Sequence, residues 1–315
     1  MNPEKRYYDF NTYLKNIYGC RVQKITIDAG MTCPNRDGSI STGGCVYCNP
    51  QGSGTGASRR KESITQQITA GKSALGRRYK AKKFIAYFQS YTNTYAPVDR
   101  LAGIYEEALS VPGVVGLSVG TRPDCVSPAI IELLASYTRD YLVWVEYGLQ
   151  SAHDATLEKI NRGHDFKAFT NAVEITAGRN INICTHVILG LPGETRRQML
   201  ETAEKIADTG IDGIKLHLLY VVKNTVLAEW YEKGRYHCLE REEYVDIVCE
   251  FLARLPANMV IQRLTGDPHP HELVAPQWAL EKTATLKQID QKMAEKQLRQ
   301  GALHGSAPPP GAPTP

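Results

Sequence analysis

A chain of 315 residues, 42% hydrophobic and 22% charged, has the make-up of an ordinary globular protein, with room for one large domain or two smaller ones. Its net charge of +4 is too slight to demand a nucleic-acid partner and does not exclude one. No apolar run reaches the roughly 18 residues of a membrane span, and the opening Met-Asn-Pro-Glu-Lys-Arg lacks the apolar core of a signal peptide. The expectation is a cytoplasmic protein with no membrane partner, whose eight cysteines serve metal binding or burial rather than disulfides.

Residues 1–22 are polar and aromatic, with Tyr7, Tyr8, Phe10 and Tyr13, and read as an extension laid against the main body. Residues 24–28 form a strand that leads straight into a cysteine-bearing loop. Beyond the loop, Ile64, Ile68, Leu75 and Tyr79 fall at helical spacing. The unit then repeats. A strand at 84–89 precedes a helix near 98–109. The strand at 113–120 precedes a helix that opens at Ser127-Pro128, a hydroxyl cap with proline at the first helical position. Strands at 141–148, 182–189 and 213–220 follow, with helices near 154–162, 166–178, 194–208 and 241–254.

Six strands, each followed by a helix, predict an α/β fold with a parallel sheet inside and helices outside. Near-continuous apolar strands fit a sheet covered on both faces. The reading is a partial (βα)6 TIM-type barrel over 23–256, with an N-terminal extension over 1–22 and a C-terminal cap over 257–300. An open, doubly wound sheet is the alternative. Residues 259–264 are a candidate further strand, 278–299 a helix, and the proline-rich 301–315 a disordered tail.

The loop after the first strand holds Cys33, Cys45 and Cys48 at C-x11-C-x2-C, among Pro34, Gly38, Gly43 and Gly44. Such a segment cannot be a helix or a long strand. Three thiolates around a soft metal centre would fix its shape, and three without an obvious fourth leave one iron of a cluster open. The competing reading is a closed structural zinc in a nucleic-acid-binding protein. That site needs a fourth ligand, for which Cys20, Cys125 or a nearby histidine are candidates. The other strand ends are polar or glycine-rich: 89–94, 120–124, 146–151, 190–194, and Tyr220 with Lys223. In a barrel these ends converge on one mouth, where functional groups sit.

With the cysteine loop after strand one, Gly-Leu-Gln-Ser after strand four and Gly-Leu-Pro-Gly-Glu-Thr after strand five, the chain resembles the radical S-adenosylmethionine (SAM) superfamily. Within it, residues 5–300 resemble the YhcC/YtqA-like group, related to the radical SAM domain of the Elongator catalytic subunit. The eleven-residue first gap departs from the superfamily's commonest C-x3-C-x2-C and matches that group, leaving the role of the gap open. The resemblance implies a 4Fe-4S cluster on Cys33, Cys45 and Cys48, with SAM on the fourth iron, and one-electron cleavage of SAM to a 5′-deoxyadenosyl radical. It also implies a reductase or a flavodoxin- or ferredoxin-type electron donor, and a substrate that is a small metabolite or RNA. Neither the substrate nor the oligomeric state is named by the sequence.

By the same resemblance, Tyr47 would lie against adenine, Gln89 and Ser90 at the amino end of SAM, and Thr121 with Arg122 in the equivalent place after strand three. Gln150 would contact SAM, Arg162 would pair with its carboxylate, and Gly190-Leu191 would let a backbone approach adenine. Glu146, a carboxylate inside an apolar strand, needs a partner, either a lysine or arginine of the barrel or a ribose or amine. His217 is a candidate for facing substrate. The run Arg77-Arg78-Tyr79-Lys80-Ala81-Lys82-Lys83 complements a helix C-terminus, with RNA binding the sharper reading. Gln262, Arg263, Asp267 and Trp278 belong to the cap, with structural or substrate roles. Cys20, Cys125, Cys184, Cys238 and Cys249 read as buried thiols, and Gly52–Gly56 is a weak likeness to a phosphate loop.

Overall fold

The computed structural model describes residues 5–49, 57 and 60–305. In chain order the elements are α1 (Phe10–Tyr18), β1 (Val22–Ile27), α2 (Ile64–Tyr79), β2 (Lys83–Phe88), α3 (Val98–Leu109), β3 (Val114–Thr121), α4 (Pro128–Ser136) and β4 (Leu142–Gln150). There follow α5 (Asp154–Lys159), α6 (Phe166–Thr176), β5 (Asn182–Leu189), α7 (Arg196–Ala207), β6 (Gly213–Leu218), β7 (Val221–Val222) and α8 (Val226–Glu232). The chain closes with α9 (Arg241–Arg254), β8 (Val260–Arg263), β9 (Leu273–Ala275) and α10 (Lys282–Glu295).

The main sheet has seven parallel strands in the order β1-β2-β3-β4-β5-β6-β8. A doubly wound sheet reverses its strand order at a switch point; this order never reverses, so the partial barrel is the right reading and the open sheet is not. The candidate strand at 259–264 is the seventh. Its inner side chains meet those of the first, since Lys24 Nζ on β1 donates to Gln262 Oε1 on β8 at 2.7 Å. The sheet is therefore curled until its two edges share an interior.

Local chemistry sets the helix starts. Ser63 and Gln66 form a capping box on α2, as Thr195 and Gln198 do on α7, each satisfying two backbone N–H groups. Ser127 caps α4, with Pro128 at its first position as anticipated. The outer helices bury one apolar body with the sheet, from Ile68 and Leu101 through Phe169 and Val248 to Ile289.

The barrel interior is layered. At its lower end the N-terminal extension folds as α1, capped by Asp9 and ended by left-handed Gly19. Leu14 packs there on Val22 and Ile85, while the rings of Phe10 and Tyr13 stand edge-on to Trp144 at 5.8 and 5.6 Å. A parallel bridge between Asp9 and Ile261 and the bond from Ile261 N to Tyr8 O fix this plug to β8.

Two features near the mouth escaped the sequence reading: the helix α8 and the two-stranded antiparallel pair β7-β9. The helix expected over 278–299 is shorter, a 3-10 turn at Gln277–Leu280 followed by α10. Of the expected disordered tail, residues 301–305 form turns tied to α9 through Gly301 N to Leu252 O and Leu303 N to Ala253 O; the remainder lies outside the described residues, as does Gly52–Gly56. Among the described residues no helix is long and apolar enough to cross a membrane.

The plug has a test. Leu14 is 2% exposed and Ile17, on the same helix, 48%. Leu14→Ala should cost about 2–5 kcal/mol of unfolding free energy in a urea titration, whereas Ile17→Ala should stay within about 0.5 kcal/mol. Equal effects would show that α1 is not seated in the barrel.

Candidate active site

A cavity of about 450 Å³ opens at the C-terminal ends of the strands. Cys33, Cys45 and Cys48 line it together with Tyr47, Gln89, Thr121, Glu146, Gln150 and Arg162. Ser90, Gly190 and Leu191, also expected there, are not in its lining. Ser90 is fully buried with an unpaired Oγ. Gly190 takes φ +88°, a Cβ added there would stand 3.1 Å from Leu239, and its carbonyl accepts from Tyr236. Leu191 sits in an apolar cluster with Val46, Ile160 and Ile188, under Tyr47.

The long gap between the first two cysteines is filled by turns. Arg36 N and Asp37 N bond Cys33 O, Ile40 N bonds Pro34 O, and Gly44 N returns to Asn35 O at 2.7 Å. Arg36 Nη2 then spans the carbonyls of Cys48 and Asn49 at 2.8 and 2.7 Å, closing the loop around itself. The turn after α5 holds it from outside: Val46 N bonds Ile160 O, Asn161 Nδ2 bonds Gly44 O, and Asn35 Nδ2 bonds Asn161 O.

Arg162 joins this loop to the sheet. The residue is 6% exposed. Its Nε and Nη2 donate to Gly148 O on β4, and its Nη1 points at Cys45 Sγ, 3.6 Å away. The resemblance implied a ligand carboxylate as its partner; the contacts made within the protein are to a backbone carbonyl and a cysteine sulfur. Burial works against the charge, but Cys45 beside it pushes the guanidinium pKa up on balance. Arg122 is held too, bidentate to Asp124 at 2.9 and 2.7 Å and donating to Arg162 O at 2.7 Å. Thr121 is buried, its hydroxyl 2.6 Å from that of Thr94. Gln150 stands at a register shift of β4 with φ +82°.

The three thiols fit a metal–sulfur group in their chemistry. Burial, then the neighbouring Cys45, pushes the Cys48 thiol up; crowded thiolates become stable only with a cation among them. Arg162 and Asn35 aim N–H groups at Cys45 Sγ, as donors around cluster sulfurs do. Asn35 Oδ1 and Thr92 Oγ1 are buried beside the loop without partners. Among the described residues no three of His, Cys, Asp or Glu are gathered tightly enough for one metal ion.

Beneath the cavity lies an ionic layer. Glu146, with no exposure, accepts from Lys24 and Ser118 at one oxygen and from Lys215 and His186 at the other. Of the two partners anticipated for this carboxylate, the structure supplies the barrel lysine, so no ligand group is needed to satisfy it. Burial alone would raise its pKa, but Lys215 and Lys24 hold it well below the usual carboxylate range. Burial pushes Lys215 down to about 7 and His186 to about 4. His217, also lowered chiefly by burial, lines the cavity above with its Nε2 buried and unpaired. Sequence reasoning missed Lys24 and Lys215. Each is a lone cation in an apolar strand, the same signal that singled out Glu146.

With this geometry in place, comparison with known proteins is informative. The family model for the radical SAM superfamily matches residues 36–206, and the Radical_SAM C-terminal domain matches 211–295. YtqA of Bacillus subtilis is 39% identical over 95% of this chain and 93% of its own length. YhcC of Escherichia coli K12 is 38% identical over 96% of this chain and 97% of its own. Among solved structures, the archaeal Methanocaldococcus infernus Elp3 superposes with a TM-score of 0.66 at 16% identity, covering 89% of this chain and 64% of that one.

Glu146→Gln tests the ionic layer. It would remove the counter-charge of two buried lysines and should cost about 3–5 kcal/mol. A depressed carboxylate pKa contributes stability above the unfolded value of 4.5 and loses it as pH falls through the folded value. Lys215, pushed down to about 7, would fall further without Glu146, so wild-type minus variant stability, from urea titrations, should grow as pH falls through about 7 and shrink again below about pH 4.5. A difference independent of acid would place the charge elsewhere.

Proposed function

The chain belongs to the radical SAM superfamily, and on that premise we propose that Cys33, Cys45 and Cys48 hold a 4Fe-4S cluster whose open iron takes SAM. The observation that carries this reading is three thiols facing one cavity, with N–H donors on Cys45 Sγ. Given one electron from a reductase or a flavodoxin- or ferredoxin-type donor, the bound cofactors supply reductive cleavage of SAM to methionine and a 5′-deoxyadenosyl radical that takes hydrogen from a substrate.

The chain's own residues position and shield. Arg162 withdraws charge from Cys45 and fixes the loop against β4, while Arg36 holds Cys48 from the other side. Gln89, Thr121 and Gln150 offer polar groups from three successive strand ends, and Tyr47 offers a ring. The apolar cluster of Val46, Ile188 and Leu191 under Tyr47 excludes water from that wall.

Anaerobic reconstitution with iron and sulfide should give a brown protein whose reduced electron paramagnetic resonance signal changes shape on adding SAM. Dithionite should then release 5′-deoxyadenosine and methionine in equal amounts, and serine at any one of the three cysteines should abolish both. Arg162→Met should retain the cluster yet lower SAM cleavage about 10–100-fold, the range for losing a group that orients a metal ligand. A colourless protein carrying zinc, or a signal indifferent to SAM, overturns the proposal.

A further inference from the structure

The cavity floor carries a cation that the fold leaves without a counter-ion. Lys24, Lys215 and Arg263 converge on the barrel interior, and the acid there, Glu146, is engaged by the two lysines. Among the described residues, the Arg263 side chain makes no hydrogen bond or ion pair, although it is half-buried and lines the cavity. The acids of the cavity rim do not answer it. Asp267 pairs with Lys282 at 2.9 Å and Glu272 accepts from Asn49 at 3.1 Å.

Beside Arg263 stands His217. It comes from β6, next to β8 in the sheet, and its Nε2 is buried with no partner. Its ring lies 5.3 Å from that of His186, which is already tied to Glu146. A buried polar nitrogen without a partner and a guanidinium without an anion are each costly. Side by side in one cavity, both are relieved by a single group that is negative and accepts hydrogen bonds. A guanidinium fork matches the two oxygens of a carboxylate or phosphate.

We propose that Arg263 and His217 form the subsite for an oxyanionic group, carboxylate or phosphate, of a small-molecule substrate. The inference rests on the reading of the site as a radical SAM centre only for the word substrate; the subsite itself needs neither cluster nor SAM. Two further arginines that line the cavity do not compete for this role. Arg162 and Arg122 have committed donors, to Gly148 O and Cys45 Sγ and to Asp124. A subsite of one guanidinium and one imidazole in a cavity of about 450 Å³ suits a small acid better than a nucleic-acid backbone.

Calorimetric titration of the anaerobic, cluster-loaded, SAM-saturated protein with inorganic phosphate and, separately, malonate at fixed ionic strength tests the subsite. The wild type should bind at least one of the two at a single site. Arg263→Gln should weaken it at least tenfold, Arg263→Lys should restore part of the loss, and SAM affinity should stay within twofold in both. His217→Phe, on the neighbouring strand, should weaken the same anion and guards against a misfolded Arg263 variant. The proposal is overturned if neither anion binds, if Arg263→Gln binds as wild type does, or if SAM affinity falls in parallel, which would make Arg263 a cofactor contact. It is equally overturned if bulk tRNA, but neither anion, binds in an Arg263-dependent way. Repeating the titration on protein without cluster or SAM separates the two readings: anion binding there, together with no SAM cleavage by the reconstituted protein under dithionite, would sink the proposed function and leave the subsite standing.

Discussion

The bond network of one buried guanidinium ties the cysteine loop to the barrel. Arg162 reaches Gly148 O at the end of β4 and Cys45 Sγ in the loop, while its own carbonyl holds Arg122 at the end of β3. Backbone requirements follow from that contact. A side chain on Gly148 would put its Cβ 2.8 Å from Arg162 Nη2 and 2.9 Å from Gln150 Nε2, so it would displace the guanidinium or the amide from its present place. Gly163, next in the chain, takes φ +73° against Asn35 Oδ1 and completes the turn that delivers the arginine. A loop with no secondary structure of its own is held by these few directed bonds rather than by packing.

Below that level the barrel spends its interior on charge rather than hydrocarbon. Replacing a buried ion pair by apolar groups is often neutral or stabilising, so a layer of Lys24, Glu146, Lys215 and His186 is poor material for stability alone. The plug of Phe10, Tyr13 and Trp144 beneath makes the layer consequential. It keeps water from the lower end, which lowers the local dielectric and strengthens each Coulomb term. Lys24 lies between the two, its ammonium 4.7 Å from the Phe10 ring and 4.8 Å from that of Tyr87. The N-terminal extension therefore belongs to the electrostatics of the site as well as to the fold.

The strands were legible because a parallel sheet covered on both faces writes itself as apolar runs, and β5 was read at its observed limits. The three thiols were legible by spacing. What escaped depended on the third dimension. β7 has two residues and β9 three, too short for any periodicity, and α8 is a seven-residue helix after a capping Thr225. Arg162 was singled out by resemblance, with a solvent-facing cation at a helix end as the other reading; the fold buries it, with donors on Gly148 O and toward Cys45 Sγ, contacts no sequence pattern announces. Gly190-Leu-Pro-Gly193 carried the opposite ambiguity, a tight turn that sets Gly190 against Leu239 and Tyr236.

The two ends of the cavity consequently differ in kind. At the rim, arginines are tied to the cysteine loop: Arg162 reaches Cys45 Sγ and Gly148 O, and Arg36 the carbonyls of Cys48 and Asn49. At the floor, an arginine and a neutral histidine face the cavity with nothing assigned to them, because the one interior acid is shared by two lysines. Coulomb energy over a few ångströms at a half-buried site is worth about 1–4 kcal/mol, enough to bias which end of a polar molecule goes down. A molecule held at the floor by its negative end must present its remaining carbons upward, towards the thiols. The unequal distribution of counter-charge along the barrel thus orients a guest before any contact with its reacting carbon is made.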